Sequence, residues 1–134
     1  MFDKYLIGEE SVRNTGPASA PTGFAFDARL GYYRGIGLSM IEDLAVTVDG
    51  VRAPREAVRF HAGSRSLTLE EMETAYDLRW HFGTWATISV VKPGGLSPGE
   101  HRLGLTERLR VSYLPFPSIV SDEKNVVLNI TGEP

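Results

Sequence analysis

This sequence predicts an all-β fold: a jelly-roll-like β-sandwich of roughly seven to nine short antiparallel strands with one short helix, forming a single domain over residues 1–134. Three observations carry that reading. Apolar residues alternate with polar ones through most of the chain, the mark of strands that bury one face. Turn-forming Gly, Pro, Asp and Ser separate the alternating runs at short intervals. Helical spacing occurs in only one segment.

The runs follow in order. After the segment "MFDKYLIGEESVRN" and the turn-rich "NTGPASAPTG", the stretch "GFAFDARL" places Phe24, Phe26, Ala28 and Leu30 on one face, with Ala25, Asp27 and Arg29 on the other. In "LAVTVDGVR", Leu44, Val46 and Val48 alternate into Asp49-Gly50, a dipeptide suited to a two-residue hairpin because both positions tolerate positive φ. Val58 and Phe60 alternate next, then Ala86, Ile88 and Val90, and "KPGGLSPGE" follows as a loop. Leu103 and Leu105 form one further run, Leu109, Val111 and Tyr113 another, and "NVVLNI" a last one. The exception is "TLEEMETAYD", where Thr68 and Glu71 have the spacing of a capping box. Leu69, Met72 and either Ala75 or Tyr76 share a helical face there, which predicts a helix of two to three turns at most.

Composition narrows the function. The 134 residues carry a net charge of −3 without any basic run, so neither nucleic acid nor an anionic membrane is an expected partner. The chain has no cysteine, which removes disulfides, thiolate metal sites and thiol nucleophiles together. The N-terminal apolar patch ends at Gly8, Glu9 and Glu10, too short for a signal-peptide core, and a cytoplasmic protein is expected.

Candidate chemistry is sparse. His61, His81 and His101 do not form the H-x-H pair that would aim two imidazoles the same way from one strand, and they read as unrelated, largely exposed residues. The acid pairs Glu42-Asp43, Glu70-Glu71 and Asp122-Glu123 are adjacent in sequence, so on strands they point to opposite faces and cannot flank one substrate bond. Glu70 and Glu71 suit the first turn of a helix. No catalytic, cofactor-binding or metal-binding residue is assigned. The large rings carry more information: Tyr32, Tyr33, Trp80, Phe82, Trp85, Tyr113 and Phe116 are many for one small domain. Tyr32 and Tyr33 are consecutive and Arg34 follows, a combination enriched at protein–protein hot spots. In "SYLPFPS" two prolines hold Phe116 on a loop. Partner contact and aromatic-plugged sandwich ends both fit these stretches.

Three motifs, "YYRG…LSMIED", "EEMET…RW.FG" and "KPGGL..GEH", resemble the small β subunit of bacterial C-glycoside deglycosidases, and the likeness runs from Met1 to about Pro117. The resemblance implies a heteromer. Its α subunit would be an isomerase-like (β/α)8 barrel holding a divalent metal, manganese, together with the acid/base groups. The pair would cleave the carbon–carbon bond of 3-keto C-glycosides by elimination, a lyase reaction. This chain would then carry no cofactor and no catalytic residue. Tyr32, Tyr33, Arg34, Arg79, Trp80, Tyr113 and Phe116 are the expected contacts with the α subunit or walls of the site mouth. The alternatives are a carbohydrate-binding β-sandwich module and a stand-alone cupin-like metalloenzyme.

Overall fold

The structure, a computed structural model, describes residues 6–17, 19–32, 35–81, 83–110 and 115–128. In chain order its strands are β1 (Ile7–Thr15), β2 (Gly23–Ala28), β3 (Ile36–Gly37), β4 (Ile41–Val48), β5 (Val51–Arg52), β6 (Val58–Ala62), β7 (Arg65–Thr68), β8 (Arg79–Trp80), β9 (Ala86–Val91), β10 (Gly99–Leu109) and β11 (Ser118–Leu128). Three of them, β3, β5 and β8, are two residues long, so eight strands of ordinary length remain among the described residues. They form an antiparallel five-stranded sheet in the order β1-β2-β9-β6-β7 and a four-stranded one in the order β11-β10-β4-β5, while β3 and β8 pair apart. The all-β sandwich expected from the alternation is the observed fold.

Local signals act where the sequence places them. Asp49 and Gly50 adopt φ of 52° and 84°, and the two-residue turn they make pairs Val48 with Val51. The helix α1 (Leu69–Met72) is one turn, shorter than the two to three turns allowed for. Its capping box is complete: the Glu71 N–H donates to Thr68 Oγ1 at 3.1 Å, and the Thr68 N–H donates to Glu71 Oε1 at 2.8 Å. Leu69, Met72 and Ala75 are buried beneath it, while Tyr76 stands in solvent, which resolves the shared face in favour of Ala75.

The core lies between the sheets. Phe24, Phe26, Val58, Phe60, Ile88 and Val90 face Leu44, Val46, Leu103, Leu105, Leu109 and Val126, all buried. Burying each such side chain contributes about 1.5–3 kcal/mol. The runs expected as separate around Leu103 and Leu109 are one strand, β10, paired residue by residue with β11 from Gly99↔Leu128 to Leu109↔Ser118. They read as two because Glu107 occupies the apolar position between Leu105 and Leu109. The last run likewise begins earlier than expected, at Ser118, because β11 turns Asp122 and Lys124 inward where an apolar residue would mark a strand.

Asp122 closes one side of the sandwich. Its Oδ2 accepts the N–H groups of Leu6 and Ile7, both at 3.1 Å, and the Lys124 ammonium at 2.7 Å. The carboxylate thus satisfies backbone donors at the start of β1 from the edge strand of the other sheet. At the far end His101 makes a second polar tie. Its Nδ1 meets Asp49 Oδ2 at 2.8 Å and its Nε2 meets the Ser97 carbonyl at 2.7 Å, so both ring nitrogens face acceptors and the charged imidazole is favoured. The Asp49 hydrogen bond, and then the Ser97 carbonyl, raise the His101 pKa. Asp49 is lowered by the Arg102 N–H first and by His101 second.

Two outcomes are expected. Asp122→Ala strands two buried N–H groups and a half-covered lysine, and costs about 2–4 kcal/mol in urea unfolding; a loss below about 1 kcal/mol would contradict the clasp. The His101 contribution is complete below the usual imidazole value of 6.5 and is lost as pH rises through its raised value. That of Asp49 is complete above 3.8 and is lost as pH falls through its lowered value. Thermal melts of His101→Gln should therefore lose the decline that the parent chain shows on the alkaline side of this window.

Candidate functional site

The three stretches singled out for their rings and arginines sit at one end of the sandwich, the end where β2 finishes, β4 begins and β10 finishes. The short β3–β8 ladder joins two of them, pairing Ile36 with Trp80 and Gly37 with Arg79. Arg79 Nη2 donates to the Gly35 carbonyl at 3.0 Å, and the Leu38 N–H donates to the Leu78 carbonyl at 3.0 Å. A Cβ at Gly35 would lie 3.3 Å from the Trp80 carbonyl oxygen, so glycine lets these segments approach this closely. The third stretch enters where β10 ends: Leu109 pairs with Ser118, and the Arg110 N–H donates to the Met40 carbonyl at 2.8 Å.

The expected contact residues divide. Arg79 is exposed, Phe116 is 63% exposed and Tyr32 is half-buried against the core. Tyr33, Arg34 and Tyr113 lie outside the described residues. Trp80 does not present its ring: it is 2% exposed, lies edge-on to Phe60 at 5.1 Å and 63°, and donates Nε1–H to the Thr84 carbonyl at 3.1 Å. A tryptophan with its one donor satisfied packs as core, and Trp80 shapes this surface from beneath.

The exposed indole is Trp85, 45% accessible, with the Arg29 guanidinium 4.2 Å from its ring centroid. Such a cation–π contact contributes about 0.5–1 kcal/mol at an exposed site. Trp85 divides two open grooves. One, of about 600 Å³, is lined by Gly8, Glu9, Glu10, Asp27, Arg29 and Lys124 among others. Its neighbour, of about 710 Å³, runs past His61, Asp77, Arg79 and His81. Sequence reasoning counted Trp85 among the rings but did not choose it for the surface. A signal was available: Trp80 falls on an alternating face next to Arg79, whereas Trp85 follows Gly83-Thr84 in a turn.

Glu107 was missed altogether. It lies on the inner face of β10, fully buried, and its Oε1 accepts the Gly31 N–H at 2.6 Å. Oε2 has no hydrogen-bond partner among the described residues. Burial pushes this carboxyl up to about 8, against the pull of the Gly31 N–H, so it is neutral at pH 7. Gly31 opens the tyrosine-rich bend, and a side chain there would run into Val120, Glu107 and Leu6. Glycine and a buried acid together set where the bend leaves the core.

Several other charged groups are committed to structure. Asp43 holds Arg52 and Arg55, both at 2.7 Å, and Glu42 holds Arg108 at 2.9 Å. Asp122 and Glu123 face opposite ways, the first into the seam and the second toward Arg102 at 3.1 Å. The histidines are dispersed. His81 is exposed, His61 Nε2 meets Ser89 Oγ at 2.7 Å, and His101 departs from the expected exposure because its bonds leave only 10% of the side chain accessible. His101, Asp49 and the Ser97 hydroxyl resemble a nucleophilic triad in composition. However, Nε2 is 2.7 Å from the Ser97 carbonyl and 3.4 Å from its hydroxyl, so it is arranged to donate and not to take a proton from serine. What the bend end offers is grip: half-exposed rings, an arginine fork and grooves carrying both signs of charge.

Residues 2–113 match the family model described as C-glycoside deglycosidase beta subunit. A C-glycoside deglycosidase beta subunit from Eubacterium cellulosolvens is 33% identical over 115 residues, which cover 85% of this chain and 78% of the relative. A 3'-dehydrocarminate deglycosidase beta subunit from a Microbacterium species is 33% identical over 116 residues, covering 86% and 83%. A third, a C-glycoside deglycosidase beta subunit from Microbacterium trichothecenolyticum, is 28% identical over 129 residues, covering 94% and 88%. The chain therefore belongs to the C-glycoside deglycosidase beta subunit family.

Proposed function

We propose that this chain is the non-catalytic partner in a cytoplasmic αβ enzyme that removes the sugar from 3-keto C-glycosides, and that its bend end docks on the α subunit. The observation that supports it is the convergence of the Gly31–Gly35 bend, the Arg79 segment and the Phe116 loop at one end of a β-sandwich of this family. Interfaces draw their energy from a few aromatic and arginine anchors in well-packed surroundings, and this end presents such residues on short, cross-braced strands.

The chemistry proposed for the complex follows from the substrate. A ketone at the sugar's third carbon acidifies the neighbouring C–H, so a base can remove that proton and the resulting enolate expels the aglycone. The carbon–carbon bond breaks by elimination, its electron pair goes to the aglycone carbon, and that carbon takes up a proton to give the free aglycone. A divalent metal on an isomerase-like (β/α)8 α subunit, with manganese the expected ion, would supply electrostatic stabilisation of the developing oxyanion. The share of the work assigned to this chain is to hold and wall the α-subunit site.

Combined alanine replacement of Tyr32, Arg79 and Trp85 should leave the β fold intact by circular dichroism and weaken capture of the α subunit about 30-fold or more, since hot-spot truncations cost about 2 kcal/mol or more each. Undiminished co-purification would place the interface elsewhere.

A further inference from the structure

At the end of the sandwich away from the bend, a cleft of about 550 Å³ lies between the two sheets. Phe24 of β2 and Val90 of β9, both buried, line it together with the half-buried Val48 of β4. One wall is Val91 at the end of β9 and Leu96 in the 92–98 loop. The other is β5 and the chain that follows it, with Val51, Ala53 and Pro54.

Both walls are fixed from within the chain. The Asn14 side chain holds Leu96 twice: its Nδ2 donates to the Leu96 carbonyl at 3.1 Å, and its Oδ1 accepts the Leu96 N–H at 2.8 Å. A Cβ at Gly95 would stand 2.6 Å from that Oδ1, so glycine lets the amide reach the loop. The Lys92 N–H donates to the Thr22 carbonyl at 3.0 Å, and the Gly94 N–H to the Pro21 carbonyl at 2.9 Å. Across the cleft the Ala53 N–H donates to the Val46 carbonyl at 2.8 Å, and Val51 pairs with Val48. The cleft is therefore already formed in the free chain.

Its chemistry is apolar inside and cationic at the rim. Val51 and Val91 are 71% and 51% exposed, so apolar wall is held out toward solvent. Among the lining residues the charged groups are Arg52, Lys92 and the bonded pair His101 and Asp49. Arg52 also holds Asp43, which does not line the cleft. Small-molecule sites of this size are mostly apolar, with a few polar groups that orient the ligand. A sugar would set its hydroxyls against valine and leucine and leave them without partners. An apolar body with an acidic group suits both parts of the lining, and a rigid ring system loses less freedom in a fixed cleft than a flexible chain does.

We propose that this cleft binds a small aromatic anion, its ring system between Val51 and Leu96 and its acidic group at Lys92 and Arg52. The site lies at the opposite end from the docking surface and does not rest on the subunit reading.

The test titrates the full chain, labelled with ¹⁵N, with 1-naphthoate and with the neutral 1-naphthalenemethanol. Naphthoate should shift the Val51, Val91 and Leu96 amides saturably, with a Kd of about 1 mM or tighter. The neutral probe should bind at least about fivefold more weakly. Val51→Glu, which sets a carboxylate on the exposed wall, should weaken naphthoate at least about tenfold, and Lys92→Gln about threefold or more. Both positions are exposed, and unchanged thermal melts would show that each variant keeps the fold.

The proposal is overturned by the absence of saturable shifts up to about 10 mM naphthoate, or by shifts spread over the whole surface. Equal binding of the two probes, or a folded Val51→Glu chain that binds as the parent does, overturns it as well. Displacement of naphthoate by the α subunit, or a dimer of this chain that Val51→Glu breaks, would assign the cleft to a protein partner and end the small-ligand reading.

Discussion

The bond from the Gly31 N–H to the Glu107 carboxyl reaches from the four-stranded sheet to the chain leaving the five-stranded one, and the arrangement of the bend end depends on it. Together with the Arg29 N–H bond to the Leu6 carbonyl at 2.8 Å and the buried Leu30, it fixes where the chain after β2 leaves the core. The tyrosine-rich bend, β3 and the β3–β8 ladder all follow from that exit. The Asp122 seam lies two strand positions away along the same sheet face and fixes the start of β1, so two neighbouring acids hold the two sheets in register where hydrophobic contact alone is non-directional. Apolar burial supplies most of the stabilisation, and the carboxyl groups supply position.

That division accounts for how the bend end is built. Rings and cations standing in solvent have little packing to restrain them, and immobilising a long side chain on binding is costly. Here the restraint comes from beneath. Trp80 is buried under its own loop and Arg79 is held by the Gly35 carbonyl, while Trp85 is capped by Arg29. The exposed groups are thus braced by buried ones on the same short segments, and less freedom remains to be lost on association. The opposite end of the sandwich is held by the Asp49–Gly50 turn and by the tie between His101 and Asp49.

How much of this was legible in the sequence follows from the range of each interaction. Local rules were readable: the Asp49–Gly50 turn, the Thr68–Glu71 capping box and the alternation of Phe24, Phe26, Leu44 and Val46 each declare themselves within a few residues. The interruptions were not. Glu107 breaks the pattern of Leu103, Leu105 and Leu109, and so one strand read as two; Asp122 and Lys124 hid the first half of β11 in the same way. In each case a polar residue takes an inward position because a partner distant in sequence needs its hydrogen bonds: Gly31 for Glu107, Leu6 and Ile7 for Asp122. The inward turn of the Trp80 indole shows in its packing against Phe60 and its bond to the Thr84 carbonyl. Side-chain orientation within the motif segments had to come from the structure.

The central claim is that this chain contributes shape and grip to a reaction carried out on another subunit. Reconstitution tests it most directly: a 3-keto C-glycoside is offered to this chain alone, to the α subunit alone and to their mixture, and release of the free aglycone is followed. The account predicts no release by this chain at any concentration and release by the mixture in proportion to complex formed. Aglycone release by this chain without its partner would contradict it.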